Sequence, residues 1–207
     1  VVGTGDATEK IKSGKEITVV CSEGEKGIVY DGAQKFEIKK TNLAKIFLLV
    51  KRLRKKTQIP ILFMSYLNPI LQYDVRRFAR SAKNAGVDGI IIPDLPPEEG
   101  KEISSLLRRE GIDLAYLLAP TSTESRIKRV ANASRGFVYY VSMTGITGTQ
   151  RSAPLDLGAN IRAIKKETEL PVCVGFGIST PEEAKAAARS SDGVIIGSAV
   201  VKAIRAH

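Results

Sequence analysis

Histidine is almost missing: the only one in 207 residues is His207, the last. Catalysis by imidazole pairs and metal sites built from histidine clusters therefore have no material. Cysteine is nearly as scarce. Cys21 and Cys173 stand in or at the end of apolar, strand-like runs, with no Cys-x-x-Cys spacing. Buried reduced thiols are expected, rather than a disulfide framework or a zinc site. Neither a metal nor a cofactor is expected. No apolar run reaches the roughly 20 residues of a membrane-spanning helix. No signal-peptide pattern follows Val1-Val2-Gly3, so a cytoplasmic protein without membrane contact is expected.

What is present is an ordinary globular balance, 43% hydrophobic and 26% charged, in a chain long enough for one sizeable core. The net charge is +10. Lys45, Lys51, Arg52, Arg54, Lys55 and Lys56 crowd one segment, in which Leu43, Ile46, Phe47, Val50 and Leu53 recur at helical spacing. The spacing predicts an amphipathic helix with a solvated basic face. Aromatic interleaving and RNA or DNA motifs are lacking, so no nucleic-acid partner is expected. The lysine and glutamate content fits heat adaptation.

The opening is β-rich. A short helix is expected from Asp6 to Gly14, a strand over Glu16–Cys21, and further strands over Gly27–Tyr30 and Phe36–Ile38, as a hairpin and its continuation. From Thr41 strand and helix alternate. Strands are expected at Ile61–Ser65, Gly89–Ile92, Leu114–Leu118, Phe137–Val141, Pro171–Val174 and Val194–Ile196. The basic segment, Val75–Ala85, Glu98–Glu110, Glu124–Ala133, Leu157–Glu167 and the stretches from Pro181 and Ala199 read as helices. Such alternation means a parallel sheet of about six βα units. The expected fold is α/β, a partial (β/α)8 barrel patched by the N-terminal β-α-β-β segment, with domains over residues 1–40 and 41–207.

The stretch from Pro171 to Ala199 carries the clearest chemistry. It reads strand, Gly175-Phe176-Gly177, a helix capped by Ser179 or Thr180 with Pro181 at its first position, a second strand, then Gly197-Ser198 opening another helix. Two glycine turns at two helix starts gather backbone N–H groups and positive helix ends, which suit a phosphate. In a (β/α)8 barrel a phosphate commonly sits on the loops after strands seven and eight. The plainer reading is that the glycines only make tight turns. Asp94, at a strand's C-terminal end, reads equally as a pocket or partner-contact residue and as a cap for the turn after it.

Residues 41–207 resemble the tryptophan synthase alpha subunit. The carrying motifs are MSYLNP from Met64, AGVDG from Ala85, PDLPPEE from Pro93, APTSTE from Ala119, GFVYYVS from Gly136, TGITG from Thr144, GFGIS from Gly175 and Gly197-Ser198-Ala199. The resemblance implies a (β/α)8 barrel that cleaves indole-3-glycerol phosphate to indole and glyceraldehyde 3-phosphate. It implies that Gly148, Gly177, Gly197 and Ser198 hold the phosphate. It further implies Tyr139 near the reacting centre, Thr147 near a mobile loop, and Met64 and Phe176 against the indole. Part of the family's beta-subunit contact surface, around Asn68–Gln72, is kept.

The family's two catalytic carboxylates belong to a segment that nothing before residue 41 matches, so no catalytic residue is assigned. Glu23 and Glu25, after the strand ending at Cys21, are the substitutes considered. Residues 1–40 instead resemble the swivelling phosphohistidine domain of phosphoenolpyruvate synthase and pyruvate phosphate dikinase, through VVGTGDATE from Val1, GKEITV from Gly14 and GIVYDG from Gly27. The expectation is an engineered or selected chimera, joined near Ile38–Thr41 and catalytically inactive, with a residual site for a small phosphorylated ligand. Homo-oligomers are expected through open sheet edges, and no stable beta-subunit complex. The alternatives are an active indole-3-glycerol-phosphate lyase of tryptophan biosynthesis and a binding module for the beta subunit.

Overall fold

The structure, a computed structural model, describes residues 17–20, 28–31, 43–141, 157–175 and 177–206. The expected helix after Asp6, the strand at Phe36–Ile38, and Cys21, Glu23, Glu25, Thr147, Gly148, Phe176 and His207 lie outside the described residues. The chain divides into two compact units, Val1–Thr41 and Asn42–His207.

In the first unit β1 (Ile17–Val20) and β2 (Ile28–Asp31) pair antiparallel, Ile17 opposite Asp31 and Val20 opposite Ile28. This is the hairpin that the alternating β-branched residues predict.

The second unit is α/β with parallel sheets. β3 (Leu62–Met64), β4 (Gly89–Ile91) and β5 (Asp113–Ala115) form one sheet, and β6 (Leu117–Leu118), β7 (Val138–Val141), β8 (Val172–Gly175) and β9 (Gly193–Ile195) the other, each in chain order. Helices follow the strands: α1 (Leu43–Arg54), α2 (Leu67–Tyr73), α3 (Val75–Ala85), α4 (Lys101–Arg109), α5 (Glu124–Ala133), α6 (Leu157–Lys165), α7 (Pro181–Ala188) and α8 (Ser198–Arg205).

Three differences from the sequence reading have local causes. The run expected as one strand at Leu114–Leu118 is split at Tyr116, whose N–H turns to Ser134 Oγ (3.3 Å) while its carbonyl accepts from the Tyr139 N–H (3.1 Å). Tyr116 thus hands the chain from β4 to β7. Helix α4 starts three residues later than expected, because Pro96 and Pro97 belong to a turn in which the Pro96 carbonyl accepts from Glu99 and Gly100. Helix α2 escapes a sequence reading because Asn68-Pro69 looks like a loop. Pro69 falls in its first turn, where the missing N–H would have had no partner in any case.

Strand residues alternate between two faces. Ile90, Ile92, Leu114, Tyr116, Val138, Tyr140, Val172 and Val174 point toward the helices and are buried. They pack with Phe47, Ile70, Phe78, Ala82, Leu107, Val130, Ile161 and Ile164 in one core. Burying a side chain of this size contributes about 2 kcal/mol. Phe47 sits at its α1 end, 5.8 to 5.9 Å from the rings of Phe63, Tyr73 and Phe78. On the opposite face the buried cluster among the described residues is Ile91, Ala115 and Tyr139, with Leu117, Phe137, Val141 and Ile195 half-buried around it.

The strand starts share a device that the sequence reading missed. Asp88 and Asp192 each precede the glycine that opens β4 and β9. Asp88 accepts from the Ile61 N–H (2.7 Å) and Asp192 from the Val172 N–H (2.8 Å), at the start of the neighbouring strand. Each also pairs with a cation from the end of the helix before that neighbour, Arg54 of α1 or Lys165 of α6.

Candidate functional site

Strand register fixes which residues can meet at the C-terminal ends of the strands. Val141 on β7 lies beside Gly175 on β8, and Gly175 beside Ile195 on β9. Gly177 and Gly197, each two residues further on, therefore leave the sheet side by side. Gly177 takes φ 75°, a left-handed turn that glycine adopts without strain.

The two helix starts beyond these turns differ. At α7 the Thr180 hydroxyl accepts from the Glu183 N–H, while Glu183 Oε2 accepts from the N–H groups of Ser179 (2.8 Å) and Thr180 (3.1 Å). Those backbone bonds hold the Glu183 carboxyl below its ordinary range. A negative charge already occupies this helix start, so it does not offer the free donors read from the sequence. At α8 Gly197 stands at the cap position with no side-chain cap, and a Cβ there would meet open space. Its first-turn N–H groups and the positive helix end are open to an anion. Of the proposed phosphate residues, the structure thus brings Gly177, Gly197 and Ser198 to one end of β8 and β9.

Tyr139 lies on β7, 7% exposed, on the face away from the helices. Its ring crosses β8 at Gly175, where a Cβ would fall 2.6 Å from its hydroxyl. Gly175, which the sequence reading placed in the glycine turn, is the last residue of β8 and makes room for that ring. Burial pushes the Tyr139 phenol above its usual value, so it is neutral and can donate a hydrogen bond. Burial, and then Asp192, push the Cys173 thiol up as well, which keeps it protonated and a poor nucleophile. Met64 ends β3, opposite Ile91, and is 62% exposed. Asp94 accepts from the Leu67 N–H (2.9 Å), so it satisfies the start of α2 instead of the turn that follows it. On α2, Asn68, Leu71 and Gln72 are exposed. Among the described residues no three His, Cys, Asp or Glu side chains gather as a metal site, and no helix is long and apolar enough to cross a membrane.

Parallel βα units, with an open helix start and a left-handed glycine turn where the strands end, define an α/β protein with parallel sheets. The sequence pattern of the tryptophan synthase alpha chain matches residues 26–207, and the chain belongs to that family. The alpha chain of Geobacter sulfurreducens is 50% identical over 162 residues, 78% of this chain and 61% of its own length. That of Citrifermentans bemidjiense is 51% identical over 162 residues, again 61% of its length. This chain thus spans about three fifths of such relatives. Among solved structures, the tryptophan synthase α2β2 complex from Pyrococcus furiosus superposes with a TM-score of 0.69 at 38% identity, covering 77% of this chain and 65% of that one. The Legionella pneumophila alpha chain gives a TM-score of 0.68 at 38% identity, covering 79% and 62%.

These similarities overturn the reading of an inactive chimera. The family match runs through the supposed join at Ile38–Thr41 without a break, and relatives at about half identity carry the ordinary name of a biosynthetic subunit. The phosphohistidine-domain fragment gains no support. Lack of a match to one segment had been taken as a splice, but the sequence pattern of the whole family reaches further than the short motifs quoted above.

Proposed function

We propose that the chain acts as a tryptophan synthase alpha-type lyase, cleaving indole-3-glycerol phosphate to indole and glyceraldehyde 3-phosphate in tryptophan biosynthesis. The observation that carries this is the family match over residues 26–207, together with a strand end suited to the substrate's charge. Gly177, Gly197 and Ser198 hold the phosphate, with Gly148 completing the cradle. Met64 and Phe176 flank the indole, Tyr139 lies beside the reacting carbons, and Thr147 borders them. No cofactor takes part. The parallel units are read as part of a (β/α)8 barrel in a cytoplasmic protein.

The reaction needs a carboxylate near the breaking bond, which general acid–base catalysis makes worth about 10²–10⁴-fold. The solved relative from Pyrococcus furiosus is an α2β2 complex. On that ground a beta subunit is the proposed partner here, docking on the exposed side of α2 around Asn68–Gln72, against the initial expectation of no stable complex.

Indole release from indole-3-glycerol phosphate, by the purified chain alone and with a tryptophan synthase beta subunit, tests the reading. Turnover above the no-enzyme rate is expected. Absence of turnover both alone and with the beta subunit would overturn it.

A further inference from the structure

A cleft of about 280 Å³ opens between α4 and the end of α5. Lys101, Ser104, Ser105 and Arg108 line it along one face of α4, Pro97 and Ala133 close its sides, and Tyr116 forms its floor. The small side chains of Ser104, Ser105 and Ala133 leave the room. Tyr116 is 2% exposed. Its ring is packed in the core, and its hydroxyl reaches under Gly100, where a Cβ would collide with it. That hydroxyl has no hydrogen-bond partner among the described residues and lines the cleft, from which solvent reaches it. A ligand oxygen that replaced this solvent would accept a hydrogen bond from it.

The surrounding charges fix what that partner is. Lys101 and Arg108 stand at the rim with no ion pair to either among the described residues. Glu98, whose charge reaches Tyr116, is paired with Arg126 (2.8 Å) and with Arg129 of α5. The cleft thus presents two cations, two hydroxyls and a phenol, with this acid held by two arginines.

We propose that this cleft is a second anion site, binding the phosphate group of a small ligand through Lys101, Arg108, the Ser104 and Ser105 hydroxyls and the Tyr116 phenol. Burial, and then the charge of Glu98, push the phenol above its usual value, so it stays a donor at neutral pH. The cleft would bind an anion whether or not the chain cleaves indole-3-glycerol phosphate.

The test is a titration of the intact chain with inorganic phosphate, followed by amide resonances, in the parent and in Gly197→Asp. The Gly197→Asp change puts a carboxylate at the open start of α8 and silences the strand-end cradle. Saturable shifts at Lys101, Ser104, Ser105 and Ala133 are expected in both. Weakening of about tenfold is expected in Arg108→Ala and in Tyr116→Phe, each having lost a charge-assisted contact. Arg108 is exposed, so its variant remains informative if Tyr116→Phe folds poorly. Shifts that stay linear with concentration, that chloride reproduces at equal ionic strength, or that Arg108→Ala leaves unchanged would overturn the proposal.

Discussion

The two faces of the parallel sheets are built to different standards. Toward the helices the strands present large aliphatic and aromatic side chains, and nearly all are buried. Toward the other side they present Gly89, Ala115, Cys173, Gly175 and Gly193 beside a few larger residues, and Met64 stays largely exposed. The first face supplies packing energy. The second is kept sparse, and Tyr139 crosses it only because β8 has no side chain at Gly175. Packing is concentrated on one side of the strands, and the candidate site draws on the other.

The largest effect should come from emptying the helix-covered face. Phe78→Ala removes a ring that is fully buried against Phe47 and Phe63. It should cost about 3–5 kcal/mol in chemical denaturation, while Ile195→Ala, on the sparse face, should cost less than about 1 kcal/mol. Equal losses would break the comparison. A smaller effect should come from Thr180→Ala, which removes the α7 cap and should cost about 1 kcal/mol by the same measurement. Gly197→Ser, at the uncapped α8, should change stability by only a few tenths of a kcal/mol. If Gly197→Ser costs as much as Thr180→Ala, the two helix starts are not distinct.

The smallest effect concerns pH. The Lys165 ammonium, and then the Val172 N–H, hold the Asp192 carboxyl below its ordinary range. A depressed folded-state value means that its contribution is present above the unfolded aspartate range and is lost as pH falls through the folded value. The Tm gap between the parent and Asp192→Asn should therefore be visible at neutral pH and shrink in acid. A gap that widens in acid would contradict the assigned partners.

What could be read from the residues alone was whatever local chemistry controls. The cap at Thr180 with Pro181 behind it, the helix bounds at Val75–Ala85, and the hairpin of alternating β-branched residues all depend on neighbours in the chain, and they stand where the sequence puts them. What could not be read depends on partners far along the chain. The break at Tyr116 needs Ser134 and Tyr139, and Asp94 acts on Leu67. The glycine turns of the candidate site were legible as turns. That Glu183 closes one helix start while Gly197 leaves the other open is a matter of side-chain geometry, and Glu183 three residues after Thr180 was the available signal for the closed one. The misreading of a splice arose from reliance on matched motifs; weak similarity spread over many positions leaves no short motif to quote.

Asp88 and Asp192 clamp the strands at the end where each strand begins, a full strand length from Gly177 and Gly197. The acids that hold the scaffold thus share no atoms with the turns where a ligand would dock. Loops at the ligand end can lengthen, shorten or change their polar residues while the anchoring end is left intact. A fold wired this way can be retuned for a different small molecule without first being restabilised.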